Sequence, residues 1–165
     1  MPIKIKIEPN TIIEEHRDEN QQLHNVDGPA VVWDIGTKEW WVNGKRHRVD
    51  GPAIEYANGG KEWFVNGELH RLDGPAVEYP SGMKYWFKDG ELHRDDGGPA
   101  KDSPNGDKEW WVNGKPHRTD GPAIEYKDGR KEWWYKGNIY TIEDLENLRD
   151  KHPLKKGYIK YKFGL

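Results

Sequence analysis

Five histidines occupy one position of a repeated phrase, His-Arg-x-Asp-Gly-Pro-Ala, which is His-Asn-Val-Asp-Gly-Pro-Ala in its first copy. Imidazole is a common zinc ligand and transfers protons near neutral pH. The five are His24, His47, His70, His93 and His117. Equivalent positions of successive two-stranded units lie roughly 10 Å apart, whereas each ligand of a zinc ion must lie about 2 Å from it. We therefore expect each histidine to bond a neighbouring turn, and we predict no metal site and no cofactor.

An arginine follows the histidine in four copies of the phrase, two residues before the aspartate. These arginines are Arg48, Arg71, Arg94 and Arg118. An aspartate before Gly-Pro suits an Asx turn, and an arginine two residues earlier on an extended segment can pair with it. We favour this structural role. Alternatively, because guanidinium groups bind phosphate and carboxylate bidentately, four of them in register could form an anion-binding stripe.

A second phrase, Lys-Glu-Trp-Trp-Val-Asn-Gly or a close relative, alternates with the first and carries two adjacent aromatic residues. Because successive strand residues point to opposite faces, these residues form two rows. The first row is Trp40, Trp63, Trp86, Trp110 and Trp133. The second row is Trp41, Phe64, Phe87, Trp111 and Trp134. One row should form the core. The second row, our candidate binding surface, is either packed by the hairpin or exposed to stack on sugars, bases or quaternary ammonium groups.

One unit is irregular. Lys101, Asp102 and Ser103 stand where Ile-Glu-Tyr is expected, and one extra residue lies between Gly97 and Gly106. The first interpretation is a tolerated bulge on a surface strand. The second is a local notch that admits a partner, which Lys101 and Asp102 would then contact.

Repetition argues against catalysis. Catalytic sites depend on singular, asymmetric constellations of side chains, whereas nearly every reactive side chain here occurs four or five times. The chain also has no glycine-rich phosphate loop before a helix, no nucleophile elbow and no His-Glu-x-x-His motif. We predict that the protein is not an enzyme.

The elements that must position these side chains are short hairpins. The second phrase starts at Lys38, Lys61, Lys84, Lys108 and Lys131, so its copies are 23, 23, 24 and 23 residues apart. Such a period is typical of stacked repeats. Within a unit, Lys-Glu-Trp-Trp-Val and Ala-Ile-Glu-Tyr predict two strands, and Asn43-Gly44 predicts a type I′ turn. The predicted fold is all-β, an elongated antiparallel hairpin repeat.

We expect a single domain with capped ends. The predicted segments are capping strands over residues 1–22, repeats over 23–137 and a cap over 138–165. Residues 3–7 alternate isoleucine with lysine, which predicts a strand. Residues 141–144 resemble a capping box that begins a helix of roughly ten residues. Residues 157–163 alternate again, so the predicted C-terminal cap is a small helix–strand unit.

Composition limits the core and the partners. Only 33% of residues are hydrophobic and 33% are charged, but nine Trp, eight Tyr and three Phe are present. Each large ring can bury about 150–250 Å², so we expect a linear, aromatic core. The net charge is −3 with lysine and glutamate interspersed, which disfavours duplex nucleic acid as a partner. The lack of a long apolar run predicts no membrane span and a cytoplasmic protein.

The unit Trp40-x-x-Asn43-Gly44-Lys45-x-His47-x-x-x-Gly51-x-x-x-x-Tyr56-x-x-Gly59 resembles a MORN repeat, and the likeness covers roughly residues 20–137. It implies an elongated antiparallel β-structure used for protein association or lipid contact. The chain departs from MORN repeats by placing arginine where they carry glycine after the histidine, and by adding Asp-Gly-Pro-Ala. That variant resembles repeat proteins of tailed phages and giant DNA viruses.

From these features we predict a non-catalytic interaction module, in the setting of a phage or viral protein that binds and neutralises a host factor. The alternative is a small-molecule sponge that sequesters a nucleotide-like or saccharide ligand through arginine and aromatic side chains. The expected partner is accordingly a host protein or a small anionic ligand. An exposed end strand would allow a homo-oligomer.

Overall fold

The computed structural model describes residues 10–164, so the predicted strand over residues 3–7 lies outside the described residues. In chain order the strands are β1 (Ile12–Glu15), β2 (Val31–Trp33), β3 (Lys38–Glu39), β4 (Trp41–Val42), β5 (Lys45–Arg46), β6 (Ile54–Glu55), β7 (Lys61–Glu62), β8 (Phe64–Val65), β9 (Glu68–Leu69), β10 (Val77–Glu78), β11 (Lys84–Tyr85), β12 (Phe87–Lys88), β13 (Glu91–Leu92), β14 (Lys101–Asp102), β15 (Lys108–Glu109), β16 (Trp111–Val112), β17 (Lys115–Pro116), β18 (Ile124–Glu125), β19 (Lys131–Tyr135) and β20 (Asn138–Tyr140). Two helices follow, α1 (Ile142–Asn147) and α2 (Pro153–Phe163).

Twelve strands form one antiparallel sheet in the order β1-β2-β3-β6-β7-β10-β11-β14-β15-β18-β19-β20. The other eight form four hairpins, β4-β5, β8-β9, β12-β13 and β16-β17. Each of the four units between β3 and β18 therefore contributes two strands to the large sheet and one hairpin beside it. The predicted all-β hairpin repeat is confirmed.

The first tryptophan of each unit joins the large sheet to the hairpin. The Trp40 N–H donates to the Ala53 carbonyl at 2.8 Å, and its carbonyl accepts from the His47 N–H at 3.1 Å. The strand therefore breaks at Trp40, and only β19 keeps the five continuous residues that the sequence predicts. The turn prediction is confirmed, because Asn43 and Gly44 have φ of 51° and 71°, the positive values that a type I′ turn requires.

The fully buried core consists of small and branched aliphatic residues. A row of alanines has no exposed surface: Ala30, Ala53, Ala76, Ala100 and Ala123. Val31, Ile54, Val77 and Ile124 are buried beside them. In the first aromatic row only Trp133 is buried, and the other rings of both rows are half-buried. The expected aromatic core is therefore wrong, because units of such short strands leave too little depth to enclose an indole on every side.

One face of the large sheet carries alternating charges. Lys38 lies directly opposite Glu55, and Glu55 opposite Lys61. The same alternation continues through Glu78, Lys84, Asp102, Lys108, Glu125 and Lys131. Opposite charges across neighbouring strands are favourable, which accounts for the interspersed lysine and carboxylate residues of the repeat.

The C-terminal cap consists of two helices, not a helix and a strand. The capping box of α1 is present, since Thr141 and Asp144 bond each other's backbone N–H groups. The helix ends after six residues, short of the ten predicted. The strand predicted over residues 157–163 is wrong: these residues belong to α2, which begins at Pro153 after the His152 N-cap. Leu154, buried, and Tyr158 pack with Trp133 and Leu145 in one hydrophobic cluster.

Among residues 10–164, no helix is long and apolar enough to cross a membrane.

Candidate partner-binding grooves

Each of the four arginines of the first phrase lies on the first tryptophan of its own unit. The guanidinium carbons of Arg48, Arg71, Arg94 and Arg118 are 3.8–4.0 Å from the indole centres. Each Nε donates to the aspartate two residues on, at 2.7–3.0 Å. Each NH1 donates to the proline carbonyl of the same loop, at 3.1–3.2 Å. These arginines are therefore used to hold the Asp-Gly-Pro loop onto the indole.

Carboxylates complete this arrangement. Arg48 NH1 lies 3.0 Å from Glu55 Oε1, and two other units repeat this contact. In the irregular unit the shorter Asp102 takes the place of the glutamate, and Arg94 instead binds both oxygens of Asp96. The Arg48 hydrogen bond holds the pKa of the Asp50 carboxyl below its ordinary range. The structural role that we favoured for the arginines therefore has direct support in the geometry.

The glycine of the Asp-Gly-Pro loop leaves room for the guanidinium. A Cβ at Gly74 would lie 2.9 Å from Arg71 Cζ, whereas a Cβ at Gly28, beside Asn25, would lie no closer than 3.6 Å to its neighbours. We expect Gly74→Ala to lower the free energy of unfolding by about 1–3 kcal/mol, because the Arg71 guanidinium can move aside only by losing its bonds to Asp73 and Pro75. The matched Gly28→Ala change should be neutral or stabilising. Urea denaturation of both variants tests this, and equal stabilities would contradict the assigned contact.

The histidines have the structural role expected from the sequence. Each Nδ1 accepts the backbone N–H of a turn residue in the next unit, at 3.0–3.2 Å. His47, for example, accepts from Asn66. The His47 nitrogen that accepts this bond carries no proton, so His47 is the tautomer protonated on Nε2. In the described part of the chain, no group of three or more His, Cys, Asp or Glu residues could hold a metal ion.

Burial, and then the charge of Lys136, lower the pKa of His117 from its ordinary value of 6.5. The unfolded chain therefore takes up a proton at this site more readily than the folded chain. The contribution of His117 to stability should be complete above pH 6.5 and decline as the pH falls below it. Urea denaturation between pH 7.5 and 5.5 should show a smaller decline for His117→Asn, which keeps an acceptor but does not titrate. Identical declines would refute the prediction.

The three tryptophans of the second aromatic row are fixed by the glutamates that precede them. Trp41, Trp111 and Trp134 donate their indole N–H to Glu39, Glu109 and Glu132 at 2.8–3.1 Å. Phe64 and Phe87 are half-buried like them. In the large sheet Glu39 is opposite Ile54, one residue from Glu55, so this row and the arginines are tied to opposite faces. The two predicted sets of binding residues are therefore largely separate, although Trp111 lines one groove together with Arg94 and Arg118.

Lys101 compensates for a missing ring in the irregular unit. In a regular unit the Tyr56 hydroxyl donates to Glu62 at 3.1 Å. Ser103 replaces that tyrosine, and Lys101 Nζ lies 3.1 Å from Glu109 Oε2 instead. Asp102 pairs regularly with its neighbours in the sheet. The extra residue lies in the preceding loop, where Gly97 has a φ of 81°, so the predicted strand bulge is not present.

Open grooves separate the loops of successive units on the arginine side. The groove between the Val26 loop and Trp40 has a volume of about 640 Å³. Equivalent grooves beside Trp86 and Trp110 measure about 320 and 210 Å³. Their walls are the Asp-Gly loops and their floors are the arginine-covered indoles.

Three aliphatic side chains project from the loops that form these walls. Val26, Val49 and Leu72 are 71%, 89% and 75% exposed. They occupy the variable position x of the His-Arg-x-Asp phrase, and we call them the aliphatic row. Sequence reasoning missed this row because it treated x as variable, although three of its five residues are Val, Val and Leu.

No family model matches the chain, and no curated protein gives a significant match. The likeness to MORN repeats therefore depends on the repeat pattern of the sequence alone.

Proposed function

We propose that the chain is a non-catalytic scaffold that binds a partner protein along the aliphatic row and the grooves beside it. The observation that carries the proposal is the exposure of Val26, Val49 and Leu72 at one position of three successive loops. Exposed apolar side chains arranged in a patch mark interaction sites, whereas single ones need no explanation. These three side chains, once buried against a partner, would form the apolar centre of an interface. The loop aspartates would form its polar rim.

The alternative, a sponge for anionic small molecules, has less support. It requires guanidinium groups that are free to bind phosphate or carboxylate. Here each guanidinium contacts an indole, an aspartate and a proline carbonyl of its own unit, and 20–23% of each arginine side chain is exposed. A ligand would have to displace these contacts.

The biological role that we propose is that of a phage or viral protein, which neutralises a host protein by binding it along this surface. The histidines and arginines, which are the reactive side chains of the repeat, all take part in repeated bonds within the fold.

The double variant Val49→Ser with Leu72→Ser tests the proposed surface. Both side chains are exposed, so the melting temperature should stay within a few degrees of the wild type. Partner retained from a cell lysate should fall at least tenfold. Ile35→Ser is the matched control, because Ile35 is also exposed but lies in the turn between β2 and β3. Partner retained equally by all three proteins would overturn the proposal.

A further inference from the structure

We infer that the partner is an amphipathic α-helix that lies along the repeat axis, with aliphatic residues seven positions apart and basic residues beside them. The inference rests on the proposed function, because it names the class of partner that the same surface binds.

The spacing of the row matches a helix. Each unit adds two strands to the sheet, so equivalent side chains recur about every 9.6 Å. A helix rises about 10.5 Å in seven residues and returns to nearly the same face. From Val26 to Leu72 the row spans two units, about 19 Å, and positions i to i+14 of a helix span about 21 Å. Three apolar residues of one helix face can therefore lie against the three residues of the row.

Extended partners fit less well. In a β-strand, residues i and i+3 are about 10 Å apart, but their side chains point to opposite faces of the strand. A polyproline helix repeats every three residues in about 9.3 Å, but its proline rings dock on aromatic surfaces. Here the guanidinium groups cover the indoles that form the groove floors, at 3.8–4.0 Å from the ring centres.

The charges beside the row indicate a basic partner. The Asp50 and Asp73 side chains are 83% and 85% exposed, whereas the arginines bound to them are 21% and 23% exposed. The carboxylates therefore project and the guanidinium groups lie beneath them. Lysine or arginine residues flanking the apolar positions of the helix would meet these carboxylates, which favours binding and sets its orientation.

The aliphatic row ends after Leu72, because the equivalent residues of the next two loops are polar. In the fourth loop the position is Asp95, bound by Lys88 at 3.0 Å and by His93 at 2.6 Å. In the fifth it is Thr119, whose carbonyl oxygen is covered by Gly157 of α2. The binding surface therefore covers three loops, which corresponds to about fifteen residues of helix.

Selection from a displayed library of random 24-residue peptides tests the inference. The wild-type chain serves as target, and the Val49→Ser, Leu72→Ser variant serves for counter-selection. We expect enriched peptides with apolar residues at i, i+7 and i+14 and with flanking lysine or arginine. They should bind the wild type at least tenfold more tightly than the variant, and bind Ile35→Ser like the wild type.

Two results would contradict the inference that the partner is a helix. Enriched peptides with proline at every third position, or without a seven-residue period, would show that this surface binds a partner of another class and leave the proposed function standing. Enrichment of no peptide that distinguishes the wild type from the variant would also reject the helical partner. The lysate comparison then decides separately whether the surface binds protein at all.

Discussion

Gly157→Ala should detach helix α2 from the last repeat and lower the free energy of unfolding of the cap by about 3 kcal/mol or more. An alanine Cβ would lie 1.9 Å from the Thr119 carbonyl oxygen and 3.0 Å from Asp120 Cα. Both are backbone atoms, so no side-chain rotation relieves the clash. Moving the helix would in turn expose Leu154 and Tyr158, which are buried against Trp133.

The neighbouring change Lys156→Ala is the control, because Lys156 is exposed on the same helix and alanine favours helix formation. Hydrogen exchange measured by segment should show faster exchange in α2 and around Trp133 for Gly157→Ala, with the middle repeats unchanged. Each repeat contacts mainly its neighbours, so a defect at one end should stay local. Equal protection of α2 in the two variants would show that the helix does not contact the Thr119 loop.

Local rules explain why so much of the repeat could be predicted. The Asn43-Gly44 turn depends only on two residues that tolerate positive φ, and the same solution recurs at Asn66-Gly67 and Asn113-Gly114. The role of His47 follows from geometry that repeats in every unit, since a spacing of roughly 10 Å excludes a shared metal but permits a bond to the next turn. Repetition strengthens both inferences, because the same geometry must be satisfied in several successive units.

The features that could not be predicted depend on contacts between elements. The break at Trp40 arises because its N–H bonds the large sheet and its carbonyl bonds the hairpin. Residues 157–163 alternate like a strand, but Leu154, Gly157, Tyr158 and Tyr161 also share one side of a helix. The packing of Leu154 and Tyr158 against Trp133 favours the helix, and this contact is not visible in the local pattern. The prediction of an aromatic core was wrong for a related reason. The large area of the aromatic rings does not reveal that the centre of the repeat has room only for alanine.

Two tryptophans of the first aromatic row, Trp133 and Trp63, should respond differently to truncation. Trp133 is 3% exposed. Its ring makes edge-to-face contacts with Tyr158 and Tyr161, and the ring centroids are 5.5 Å apart in both. Trp133→Ala should therefore cost about 3–5 kcal/mol, as for a buried aromatic residue. Trp63 is half-buried, with the Arg71 guanidinium 4.0 Å from its ring centre. Trp63→Ala should cost less, about 2 kcal/mol, because less apolar area and one cation–π contact are lost.

Urea denaturation of both variants, monitored by far-UV circular dichroism, measures this difference in the free energy of unfolding. The comparison also separates the two roles of the row, because Trp133 anchors the helical cap whereas Trp63 supports an Arg71 loop that carries Leu72. If Trp63→Ala proved as costly as Trp133→Ala, the arginine–indole contact would be a main source of stability in the repeat. The loops that present the aliphatic row would then depend on it, and variants of Arg71 would reduce partner binding without any contact between arginine and partner.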